Sequence, residues 1–278
     1  MNMPACRARF LSMRWVLRGV RAVPRRLKNR RWVARGALLA FTDDDIILDS
    51  KCLASLWRCF QETQADGGTG RILPFWKDER PAWLTDEVFW GIGWSGCIDY
   101  GAVRKHSRNA PGQDCRWVGG NMAVRREVIE RVGPYDVRMR RADDTEFFFR
   151  CAEAGCRIVY EPAAVAYHKM RAERMTVPYI RAWHRREGRY HALLIPWKPL
   201  HLLTMMPLWR TADTLRRLAA WGRAVVRRRP WWERFCCELK LHEEAGVWLH
   251  RLQLWPRWWL AVLTGRPASM DGRATDVS

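Results

Sequence analysis

The chain has no acidic residue before Asp43, no CxxC pair, no internal repeat and no long uninterrupted apolar run. Each absence excludes something. Without about 18 consecutive apolar residues, no transmembrane helix is expected. Without a long apolar segment near Met1, no secretory signal is expected either. Nine cysteines form an odd set, with Cys236 and Cys237 adjacent. They suit neither a disulfide framework nor a zinc knuckle, and a reducing cytosol is the simpler expectation. The acid-free first 42 residues contain the arginine-dense stretch "RARFLSMRWVLRGVRAVPRRLKNRRWVAR". That composition reads either as an organelle transit segment or as a basic, membrane-facing one.

What is present is enough to bury a real core: 278 residues, 48% hydrophobic, as one large domain or one domain plus an appendage. The formal charge of +20, from 49 Lys+Arg against 29 Asp+Glu, suits nucleic acid, an anionic membrane or a phosphate-bearing substrate, and does not choose among them. Its distribution says more. The middle is the acidic part, and beyond residue 200 arginine alternates with tryptophan.

Residues 37–42, "ALLAFT", read as a buried strand of an α/β layer. Asp49 or Ser50 then caps a helix over "SKCLASLWRCFQETQ", with Leu53, Leu56, Trp57 and Phe60 on one stripe and "ADGGTG" as its stop. "RILPFW" reads as a strand, and residues 77–115 as a long loop region with short elements, of a length that is usually functional. "WVGGNMAVRREVIERVGPYD" predicts a short strand, a Gly-Gly turn and a helix from near Arg125 to Gly133-Pro134. "DDTEFFFRCAEAG" predicts a helix with Asp143 or Asp144 at its N-cap and Gly155 as its stop. "RIVYEPAAVAYH" reads as one or two strands broken by Pro162. From residue 171 the pattern is helical to about residue 264, and a polar tail follows.

Three features carry chemistry. Asp43, Asp44 and Asp45 follow the first strand, where ligands of α/β sheets bind. Ionised and crowded, they raise one another's pKa values, and a hard cation, Mg²⁺ or Mn²⁺, is their natural partner. The alternative, with equal claim on this stretch alone, is a solvated acidic turn capping the next helix. "RRADDTEFFFR" offers a carboxylate able to act as general base, or simply an N-cap. His168, closing the strand "AVAY", is either structural or a third group of a carboxylate metal site.

Taken in order, these segments resemble the nucleotide-sugar glycosyltransferases of family 2, which have the GT-A fold. "KNRRWVARGALLAFTDDD" looks like the family's strand ending in the DxD motif, and "GRILPFWKDERPAWL" like its strand and Pro-Trp loop. "WVGGNMAVRREVIERVGPYD" is similar to its acceptor-side Gly-x-Asn-Met strand. "DDTEFFFRCAEAGCRIVYEPAAVAYHK" resembles the segment that carries the base and ends in histidine, and "WHRREGRY" the basic segment beyond. The likeness spans residues 28 to 190.

The resemblance implies a metal-dependent, inverting sugar transferase. Asp45, Asp43 and His168 would be metal ligands, and Asp43, Asp44, Arg185 and Arg186 would contact the donor diphosphate. Gly120, Asn121 and Asp143 would lie on the acceptor side, with Asp144 as general base. Asp143 stands where the family usually has Glu. A UDP-sugar donor, a saccharide or lipid-linked acceptor and a role in polysaccharide biosynthesis follow from the likeness.

Only 42 residues precede Asp43, too few for the βα units that hold the nucleotide base. The expected layout is therefore a basic segment over 1–36, left from the nucleotide-binding half, an incomplete GT-A α/β region over 37–170, and a basic helical region over 171–278. A catalytically impaired truncated homologue is the alternative within this class. The Trp/Arg-rich helices mix residues as interfacial helices do, which points to a cytoplasmic protein peripheral to an anionic membrane. A nucleic-acid-binding protein would use the same charge, with aromatics stacking on bases. It would have little use for two acidic clusters and a histidine in this order, so it stands as the alternative from another class and no nucleic-acid partner is expected.

Overall fold

The computed structural model describes residues 36–107, 115, 117–136, 139, 143–195 and 205–264. The arginine-rich N-terminal segment, apart from Gly36, and the polar tail lie outside the described residues. The described residues form two compact units. The first takes those up to Glu79 together with Ser95–Arg171, and the second takes Arg80–Trp94 together with those from Ala172 onward.

The first unit is built on six strands: β1 (Leu38–Phe41), β2 (Ile46–Leu48), β3 (Gly67–Trp76), β4 (Lys105–Ser107), β5 (Met122–Arg125) and β6 (Ile158–Met170). They lie in the order β1-β5-β3-β6-β2, with β4 also on β6. The β3–β6 pair is parallel and the other pairs are antiparallel. Met122, Ala123 and Val124 of β5 are all buried because the sheet is covered on both faces. One face meets helices α3 (Arg126–Val132) and α4 (Asp143–Glu153) through Leu39, Met122, Val124, Val128, Ile129 and Phe147. The other meets α1 (Cys52–Thr63), whose Cys52, Leu56 and Phe60 pack on Ala123 and Ala164.

Several local expectations shift. Trp57 lies on the solvent side of α1, because the buried stripe is Cys52, Leu56, Cys59 and Phe60. Asp49 does not cap that helix. Its Oδ1 accepts from the Lys51 N–H (2.8 Å), in the turn before the helix begins. The glycines of "ADGGTG" are in strand rather than in a turn, since β3 starts at Gly67. They are glycines for space: a Cβ on Gly67 would collide with the Trp117 ring, and one on Gly70 with the Ala164 carbonyl and the Asn121 amide. Pro162 does not split β6. Glu161 pairs with Gly70 and Val165 with Arg71, so Pro162–Ala164 bulge out and the strand resumes.

The second unit is helical: α2 (Asp86–Ile92), α5 (Val177–Leu194), α6 (Leu208–Val226) and α7 (Trp231–Thr264). Thr85 and Thr176 cap α2 and α5, each accepting from a backbone N–H in the first turn. Helices α5 and α7 touch backbone to backbone where Gly188 meets the Glu243 carbonyl and Gly246 meets the Arg185 carbonyl. Trp83, just ahead of α2, packs edge-on against Trp231 and Phe235 of α7. Arg251 of α7 is fully buried, and donates to the carbonyls of Met205 and Ile195 at 2.9 Å each. Burial lowers its pKa to about 10. No described helix is long and apolar enough to cross a membrane.

Candidate donor and metal site

The turn between β1 and β2 carries Asp43, Asp44 and Asp45. It closes through the Ile46 N–H donating to the Asp43 carbonyl (3.3 Å). The antiparallel pairing of β2 with β6 sets Ile46 opposite His168, and the Lys169 N–H donates to the Asp45 carbonyl (2.9 Å). Register alone therefore brings Asp45 to His168. Their Oδ2 and Nε2 atoms are 3.3 Å apart, and both side chains are largely buried.

His168 is held from its other side by the Ser95 carbonyl, 2.6 Å from Nδ1. Burial would push its pKa down, but hydrogen bonds to Asp45 and Cys97 outweigh that and raise it to about 9. With Nδ1–H donated to Ser95, Nε2 is the nitrogen left for a ligand or a proton. Asp43 keeps an open side to solvent, yet its pKa is raised. Partial desolvation is the largest cause, followed by the carboxylates of Asp45 and Asp144, with His168 opposing them. Asp44 faces solvent.

Asp144 reaches the same place from α4. Its Oδ2 accepts from the Gly119 N–H (2.9 Å), and its Oδ1 accepts from the Thr145 N–H (2.7 Å) and hydroxyl (3.4 Å). It lies within the first turn, fixed by two backbone donors. Gly119 is a glycine beside it: a Cβ there would sit 3.6 Å from the Asp144 side chain, and one on Gly120 would press into Ile46 at 3.1 Å. Asn121 is buried, and its side-chain bonds run inward. Its Nδ2 donates to the carbonyls of Arg71 (3.1 Å) and Ala164 (2.9 Å), and its Oδ1 accepts from the Cys52 thiol (3.4 Å). Asp143 opens α4 one residue before Asp144.

Arg185 and Arg186 are on α5, in the second unit. Arg185 is exposed and contacts His242 Nδ1 at 3.2 Å, while the Arg186 guanidinium lies over the Tyr179 ring, 5.5 Å from its centroid.

Asp43, Asp45, Asp144 and His168 thus form one charged cluster in the first unit. The donor set, carboxylate oxygens and one imidazole nitrogen, fits Mg²⁺ or Mn²⁺. Among the described residues no three His, Cys, Asp or Glu side chains are arranged to hold an ion unaided. Desolvation is the main reason the Asp43 pKa is raised, and the neighbouring carboxylates of Asp45 and Asp144 add to it. Residue patterns missed Ser95, Cys97, Gly119 and Thr145. The one signal for the first two was their place in the long 77–115 stretch.

No curated protein matches the chain. Among solved structures it is similar to GalNAc-T7, solved with UDP, GalNAc and Mn²⁺. The identity is 16%, covering 56% of this chain and 33% of that one, with a TM-score of 0.33. It is also similar to the mannosyltransferase PcManGT from Pyrobaculum calidifontis, solved with GDP-Man and Mn²⁺. There the identity is 16%, covering 78% of this chain and 63% of that one, with a TM-score of 0.44. The chain therefore spans from a third to under two thirds of these proteins, and both overlaps are too loose to speak for its site. The family model is the wider match: residues 38–265, most of the chain and both acidic clusters, fit that of glycosyl transferase family group 2, and to that family, with its GT-A type of α/β fold, the chain belongs.

Proposed function

We propose that this chain transfers a sugar from a nucleoside-diphosphate donor, a UDP-sugar, to a hydroxyl of a saccharide or lipid-linked acceptor, with inversion at the anomeric carbon. One observation carries the reading: Asp43, Asp45, Asp144 and His168, drawn from three separate segments, meet in one place. Asp144 takes the proton of the acceptor hydroxyl as that oxygen bonds to the anomeric carbon. The bond from this carbon to the diphosphate oxygen breaks, and its electron pair leaves with the nucleoside diphosphate. The Gly119 and Thr145 N–H groups orient the base beforehand, which is the entropic part of its contribution.

Asp45 and Asp43 would supply oxygen ligands and His168, once its Nε2 proton is released, that nitrogen, with the Ser95 carbonyl holding the ring by Nδ1. A bound Mg²⁺ or Mn²⁺ would offset the charge of the departing diphosphate. The donor roles of Asp44, Arg185 and Arg186 and the acceptor-side roles of Gly120, Asn121 and Asp143 rest on the family resemblance. In this reading residues 37–170 are the catalytic region and 171–278 a basic helical one. The chain works in polysaccharide biosynthesis as a cytoplasmic protein, peripheral to an anionic membrane.

Calorimetric titration with UDP tests the donor site. Heat of binding is expected for the wild type with Mn²⁺ present and is expected to vanish in Asp45→Ala. Equal heat without Mn²⁺, or none from any nucleoside diphosphate, overturns the reading.

A further inference from the structure

Helix α6 has two unlike long faces. One is pinned to α7: Glu244, almost fully buried, receives Arg210 Nη2 at 2.7 Å, the Thr214 hydroxyl at 2.9 Å and Arg217 Nη1 at 3.4 Å. Trp248 Nε1 donates to the same Thr214 hydroxyl (3.1 Å). A buried carboxylate with these partners fixes the helix's rotation, because turning it would strand the charge. The opposite face is apolar and bare. Leu208, Leu215, Leu218 and Val225 follow one another at steps of seven, three and seven residues, a single helical stripe, and Val226 continues it. Leu208 is 64% exposed, Leu215 61% and Val226 81%. Trp209, beside its start, and Trp221, between Leu218 and Val225 in sequence, are also exposed.

Charge says what covers that stripe. Residues 208 to 230 hold seven arginines against one aspartate, Asp213, and Asp213 is paired with Arg217 at 3.0 Å. Arg216, Arg223, Arg227 and Arg228 are exposed and have no ion pair among the described residues. An apolar stripe with unpaired guanidinium groups and exposed tryptophans on the same segment matches the boundary between acyl chains and anionic headgroups. The same stripe buried against a protein would leave those guanidinium groups to find acidic partners one by one.

We infer that the Leu208–Leu215–Leu218–Val226 face of α6 is a membrane-docking surface. It lies in the plane of an anionic leaflet, with Arg216, Arg223, Arg227 and Arg228 on lipid phosphates. The inference builds on the membrane partner named above. Vesicle binding is read without donor or acceptor, so its failure and a failure of sugar transfer are separate results.

The test is flotation of the full chain with phosphatidylcholine vesicles and with vesicles that also contain phosphatidylglycerol. Binding is expected only to the anionic vesicles. The double variant Leu215→Glu, Leu218→Glu should abolish it while leaving the circular dichroism spectrum and transfer to a soluble acceptor unchanged, since both side chains already face water. Arg216→Gln and Arg223→Gln should each weaken partitioning about fivefold. Three results overturn the inference: no binding to anionic vesicles, undiminished binding by the double variant, or conversion of an oligomer to a monomer by that variant. The last would make the stripe a contact between copies of the chain.

Discussion

Asp144 is a carboxylate whose two oxygens are each tied to a backbone N–H, and a fold does not commonly spend two such donors on an ordinary surface acid. Replacing it with Asn keeps the size and removes the proton acceptor. Asp144→Asn should lower the transfer rate by about 10²–10⁴. The lost hydrogen bond should cost stability by about 1 kcal/mol. Single-turnover transfer and urea unfolding on the same preparation check the two halves. An unchanged rate removes Asp144 from the chemistry. At this scale the sequence was legible in its side chains: Asp43, Asp45, Asp144 and His168, which the fold gathers, are all named by residue type and order. It was silent on the Ser95 carbonyl and the Gly119 N–H, because any residue type carries those groups and only the fold aims them.

Helices α5 and α7 touch so closely, through Gly188 and Gly246, that the side chains nearby lose their water. His184 of α5 is the clearest case. Burial pushes its pKa down to about 4, with the His242 and His191 charges adding to the fall and Glu243 and the Ile92 backbone opposing it. The folded value lies below the ordinary 6.5, so the unfolded chain binds the extra proton first. Stability is complete above pH 6.5 and is lost as pH falls from there toward 4, by on the order of 3 kcal/mol. Urea midpoints measured across that window should fall more steeply for the wild type than for His184→Gln, and parallel slopes would refute the assignment. The helix itself was plain from its 3.6-residue period. The start of β3 was not, since three glycines read as a turn until Trp117 and Ala164 are seen to need the space. Pro162 misled in the same way, as a break in sequence and a bulge in the sheet.

The interleaving of the two units was beyond reach from the sequence, because residues 80–94 show no sustained period and nothing local marks them as part of a helical unit far along the chain. They are nonetheless core: Val88, Phe89 and Ile92 are buried, and Trp83 packs on Trp231 and Phe235. A fragment comprising residues 172–278 should therefore lack a cooperative urea transition and bind a hydrophobic dye. Fusing residues 80–94 to its front by a flexible linker should restore the transition and suppress the dye signal. A fragment that unfolds cooperatively without them would show that the helical unit is self-sufficient.

Strand β6 pairs with β2, β3 and β4 along its thirteen residues, yet it is the last strand of the sheet to be made. On the ribosome, everything upstream waits for it. Until Met170 has left the exit tunnel, β2 and β4 have no partner among the strands described, and β3 presents a free edge that any other nascent chain can join. A pause in translation shortly before Ile158 would expose that edge for longest, so the seam that completes the sheet also sets the moment at which the growing chain most needs a chaperone.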